Sequence, residues 1–131
     1  MKLACGGTLS LPAYLEAGVD VRIGTDGAAS SGSGLNMQAE ARLASLLQRH
    51  DHWDATLLTA AETMKMATKG SRDWAVWDLN DVRMRPRGGS DNRHLANLIF
   101  NGATCLDLWV NGRALRRDGE TLTLDEQSII N

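Results

Sequence analysis

The 131 residues are 43% hydrophobic and 23% charged, a balance that supports one moderate core and excludes a disordered chain. A net charge of -2, with basic residues scattered along the chain apart from the closely spaced Arg83, Arg85 and Arg87 and a second group at Arg113, Arg116 and Arg117, excludes the electrostatic footprint of a nucleic-acid binder. No apolar run approaches the roughly 20 residues that span a bilayer, and Met1 to Gly6 is too short before its glycines to be a signal peptide, so a soluble, cytoplasmic protein is expected. Cys5 and Cys105 lie far apart without CxxC spacing and read as two buried free thiols.

In chain order, Leu9 to Gly18 predicts a short helix, with Pro12 in its first turn and Gly18 closing its end. Val19-Asp20-Val21-Arg22-Ile23 alternates apolar and polar residues, which predicts a strand ended by Gly24-Thr25-Asp26-Gly27. A loop of small residues from Ala28 to Gly34 follows. Leu35 to His50 then carries Leu35, Ala39, Leu43, Leu46 and Leu47 at helical spacing, predicting an apolar face through those residues. Thr59 with Glu62 three residues on is a capping box for a helix running to Gly70. Trp74 to Leu79 predicts a strand, Arg83 to Asp91 a polar loop, and Asn92 to Phe100 a helix. Cys105–Val110 and Arg113–Leu115 flank Asn111-Gly112, a strong hairpin signal because both central residues of a type I′ turn need positive φ.

Taken together, Lys2-Leu3-Ala4, Leu15-Glu16-Ala17-Gly18, Val21-Arg22-Ile23-Gly24-Thr25-Asp26-Gly27-Ala28-Ala29-Ser30 and Glu40-Ala41-Arg42-Leu43-Ala44 resemble the last barrel strand and flanking helices of metal-dependent amidohydrolases. Met64 to Gly70 resembles the helix after that barrel. Trp109-Val110-Asn111-Gly112-Arg113 and Arg117-Asp118-Gly119 resemble the small C-terminal β domain. The subgroup implied is that of the guanine, methylthioadenosine and S-adenosylhomocysteine deaminases and the s-triazine hydrolases. The resemblance implies an α/β fold that is not a complete barrel. Residues 1–70 would hold the last strand and helices of a (β/α)8 barrel, and residues 71–131 a remnant of the β domain with its hairpin.

The same resemblance implies that Asp26 is the catalytic carboxylate and a ligand to zinc or iron, carrying protons for the attacking water. The family's histidine ligands lie upstream of the matched segment, so this chain by itself is expected to hold no metal and to be inactive. Between Gly70 and Trp74 the family carries a glycine-rich hairpin that Ser71-Arg72-Asp73 replaces, which leaves the Trp74 strand without that neighbour. Expected partners are a second copy or a complementary barrel fragment that covers the edges of the Val19–Ile23 strand. A non-catalytic interaction module and one half of a split enzyme stand as alternatives.

On its own residues Asp26 reads as an accessible turn carboxylate capping nearby amides. His50-Asp51-His52 spells a metal pair but trails a helix, and reads as a solvated helix end. His94 reads as a surface residue. The Gly24–Gly34 tract lacks both the third glycine and the lysine of a phosphate loop. Met64 and Met66 read as helix and core residues, and Trp74, Trp77 and Trp109 as packing residues of the β region.

Overall fold

The computed structural model describes residues 7–28, 34–125 and 128–129. The expectations placed on Lys2-Leu3-Ala4, on Cys5 and on most of the small-residue loop lie outside them. Helix α1 (Leu11–Glu16) starts with Pro12 in its first turn, and Gly18 follows it at φ +74°. Helix α2 (Met37–His52) is capped by Asn36, whose side chain accepts the N–H groups of Gln38 and Ala39 at 3.0 and 3.1 Å. Helix α3 (Ala60–Thr68) begins at the Thr59–Glu62 capping box.

The buried stripe of α2 differs from the expected one. Ala41, Ser45 and Gln48 are buried, whereas Leu35, just before the helix, is 69% exposed and Leu46 lies at the surface. The reason is hydrogen bonding to neighbouring loops. Gln48 accepts the Leu11 N–H at 3.1 Å and donates to the Leu9 carbonyl at 2.7 Å, pinning the start of α1. Ser45 Oγ donates to the Leu58 carbonyl at 2.8 Å. Small and polar side chains that satisfy buried backbone can occupy a face that a hydrophobicity count assigns to leucine.

The predicted strand at Val19–Ile23 forms no ladder. A strand exists through its neighbours, and here the segment lies beside α3, with the Ile23 N–H donating to the Met66 carbonyl at 3.3 Å. Asp20 ties it further, accepting from Lys69 and Arg22, and these two cations hold its carboxyl below the ordinary carboxylate range.

The sheet runs in sequence order: β1 (Trp74–Trp77), β2 (Cys105–Val110), β3 (Arg113–Arg117) and β4 (Glu120–Thr121), all antiparallel. The β2–β3 hairpin turns at Asn111 (φ +51°) and Gly112 (φ +75°), as the sequence predicts. Asp118 (φ +49°) and Gly119 (φ +85°) repeat the device to form β4, at a pair the sequence offered only as part of the β-domain resemblance and not as a turn. No closed barrel forms among the described residues. Cys105, at the start of β2, is half-buried rather than buried, with its thiol pushed up by burial.

Helix α4 (Asp91–Asn101) packs on α2 and α3. The core under it is Met84, Leu98 and Ala103, with Met64 and Trp77 against them. The segment expected to be a polar loop therefore supplies a core residue, since Val82–Met84 is a 3-10 turn that aims Met84 inward. Asp81 holds that turn. Its carboxylate accepts from the Arg83 guanidinium, the Arg83 N–H, and the N–H and hydroxyl of Thr104, all within 2.9 Å.

These bonds, the Arg83 guanidinium first, hold Asp81 well below its ordinary 3.8. A depressed carboxyl stabilises the fold above its unfolded pKa, and the contribution fades as pH falls through 3.8 towards the folded value. Asp81→Asn should melt earlier than wild type at neutral pH, and the gap should narrow on acidification to about pH 3. Parallel melting curves across that range would contradict this account of the turn.

Candidate functional site

Asp26 sits in the Thr-Asp-Gly turn after the segment that lies beside α3. It is exposed, with a left-handed backbone (φ +58°). Its Oδ1 accepts the Gly27 N–H at 2.7 Å, and its carbonyl accepts the Thr25 hydroxyl at 3.2 Å. Asparagine and aspartate tolerate this conformation because a short polar side chain can bond local backbone. The geometry presents a solvent-accessible carboxylate at the end of a supported segment.

The histidines do not join it. Gly24 lines a small cavity together with Glu40, Ala44 and Gln48, which places the segment leading to the turn along α2. His50 is exposed, as a solvated helix end should be, and faces Trp53 with ring centroids 6.1 Å apart. His52 departs from that reading: it is half-buried, and among the described residues its Nε2 has no hydrogen-bond partner. His94 is half-buried on α4 rather than at the surface. Among the described residues no three of His, Cys, Asp and Glu converge as a metal site. The donors present therefore do not fit a complete zinc or iron centre, because a catalytic site normally draws on three protein ligands.

A second concavity of about 460 Å³ lies between α1, the following segment and α3, lined by Leu11, Leu15, Val19, Val21, Leu57 and Met66. Asp26 is not part of its wall. Met66, expected in the helix and core, is half-buried on α3 and lines this groove. Met64 packs on the Met84 cluster. In the sheet, Trp77 packs on the core, Trp74 stacks on Trp109 at 5.1 Å, and Arg117 lies over the Trp109 ring at 5.8 Å.

A model of the amidohydrolase family matches residues 3–72, more than half of the chain. The chain belongs to the amidohydrolase family. A 5-methylthioadenosine/S-adenosylhomocysteine deaminase of Bacillus cytotoxicus is 33% identical over 140 residues, covering 95% of this chain and 32% of that enzyme. The corresponding enzyme of Pyrococcus furiosus is 35% identical over 144 residues, covering 99% of this chain and 34% of its own length. An adenosine deaminase from Xanthomonas campestris with bound zinc superposes with a TM-score of 0.79 at 26% identity, over 95% of this chain and 32% of that one. The zinc complex of an atrazine chlorohydrolase from Arthrobacter aurescens gives 0.77 at 26% identity, over 95% and 31%.

This amidohydrolase chain thus spans about a third of the length of the relatives it matches. The subgroup is the one the sequence pointed to, with deaminases and a chlorohydrolase side by side. The Bacillus alignment runs over 140 residues yet uses 95% of these 131, so that relative carries residues inside the matched stretch that this chain lacks.

Proposed function

We propose that this chain is the Asp26-bearing part of a cytoplasmic hydrolase that removes an amino or chloro group from a nitrogen heterocycle, and that it is inactive without the segment carrying the remaining ligands. The accessible Asp26 carboxylate at the end of the segment beside α3, in a chain of this family, carries the reading. Its chemistry suits proton transfer: an exposed carboxylate that accepts the Gly27 amide can take a proton and return it. The family relatives hold zinc, and Asp26 would be the one donor this portion contributes to it. A non-catalytic module is the second reading, favoured by the missing convergence of donors among the described residues.

The test is co-expression with the remaining two-thirds of a related deaminase, assayed with zinc on methylthioadenosine, guanine and atrazine. Turnover is expected from the pair and not from this chain alone. A correctly folded pair without turnover would favour the module, and turnover by the isolated chain, lost in Asp26→Ala, would overturn the claim of inactivity.

A further inference from the structure

Strand β1 is an outer strand of the sheet, and among the described residues nothing pairs with its far side. Proteins guard such an edge by brevity, charge, proline or a bulge. The opposite edge is guarded, since β4 has two residues and one is Glu120. β1 is Trp74-Ala75-Val76-Trp77, without charge or proline, and its register irregularity places the extra residue on β2. Trp77 packs on the core, so alternation puts Trp74 and Val76 on the face away from the helices, where they are 49% and 40% exposed. The Asp78 N–H points inward to the Thr104 carbonyl at 2.8 Å, which turns the backbone groups of Trp77 and Ala75 outward.

We infer that this edge pairs with the same edge of a second copy, antiparallel about a two-fold axis at Ala75. The residues on either side select that register. It sets Arg72 opposite the partner's Asp78 and Trp74 opposite the partner's Val76, and symmetry repeats both pairs. Each is favourable across strands: opposite charges at the two ends, and an aromatic against a β-branched side chain between them. Trp74 and Val76 share the outer face, and alternation continued past the strand ends puts Arg72 and Asp78 on it too; Arg72 is exposed and Asp78 half-buried, with its Oδ1 also accepting the Asn80 N–H at 2.7 Å. A shift that keeps the faces in place must be two residues. Shifting one way sets Arg72 against Val76 and Trp74 against itself; shifting the other way sets Trp74 against Asp78. Neither makes the ion pair. Ala75, opposite its own copy, lets the backbones exchange both hydrogen bonds without steric cost. The inference is independent of the proposed reaction, because it uses no residue of the Asp26 turn.

Two short strands bury less than the roughly 1,200 Å² of a stable complex, so the dimer should be weak, with a Kd of about 10–100 μM. Sedimentation velocity of the full chain over a concentration series reads it. Val76→Lys should raise the Kd at least about tenfold by placing charge on the edge. Arg72→Glu should weaken the dimer several-fold, and Arg72→Glu with Asp78→Arg should restore it, since the swapped pair is again complementary. Arg72 is exposed and precedes the strand, so its variant keeps the test decisive if Val76→Lys fails to fold by circular dichroism. A wild-type monomer at about 1 mM, self-association unchanged in Arg72→Glu, or a charge swap that fails to restore it would overturn the proposal.

Discussion

Replacing Met84 by alanine is expected to remove about 3 kcal/mol of stability, read as a lower urea midpoint with an unchanged slope. Met84 is 1% exposed and is the largest fully buried side chain among the described residues. Its truncation opens a cavity between Leu98, Ala103, Met64 and Trp77, where α4 meets the sheet. Collapse into that space is resisted by polar clamps: Asn97 Nδ2 donates to the Met84 carbonyl at 3.1 Å, and Asn101 Nδ2 to the Arg83 carbonyl at 3.2 Å. A domain of this size has about 5–15 kcal/mol in total, so the loss would be a large fraction of it. Met84→Leu keeps volume and apolarity and should cost less than about 1.5 kcal/mol. Equal midpoints for Met84→Ala and wild type would show that the 3-10 turn does not anchor the core.

In the enzyme reassembled with a related barrel fragment, Asp26→Asn is expected to lower kcat by about a thousandfold while moving KM little. Asparagine preserves the shape of the turn, tolerates the left-handed backbone and can still accept the Gly27 N–H; it loses the charge and the basicity. Loss of kcat should therefore far exceed any change in the stability of the isolated chain, which separates a chemical role from a structural one. A loss of kcat below about tenfold would mean that Asp26 does no proton transfer and serves as a turn residue.

What could be read in the sequence was local. Asn111-Gly112 and the Thr59–Glu62 box specify backbone geometry through neighbours a few residues away, and both formed as expected. Val19–Ile23 has the alternation of a strand, but its ladder depends on partners that composition does not encode, and among the described residues none is present. Met84 was hidden by its setting among Arg83, Arg85 and Arg87. The alternation of those arginines with Val82 and Met84 was the available signal, though one arginine-bounded residue does not tell inside from outside without α4 in place. The buried stripe Ala41–Ser45–Gln48 escaped notice because its value lies in hydrogen bonds to Leu58, Leu9 and Leu11, contacts between elements. Asp26 stood out through family resemblance; as a residue type in a turn, it is ordinary.

The sheet's connections also set an order of assembly. Strands β2, β3 and β4 are joined by two-residue turns, whereas β1 reaches β2 only after the excursion through residues 78–104, which contains the Asp81 turn and α4. Closing a tight turn takes microseconds and fixes few residues, while a long loop must be ordered before its contacts repay it. The three-stranded meander is therefore the early unit, and β1 docks late, once α4 has bridged the gap. Pulse-labelled amide exchange would see this as protection of Leu108 and Leu115 ahead of Val76. Until β1 arrives, the β2 edge is open as well, so at high concentration refolding chains can accept one another's β1 in place of their own.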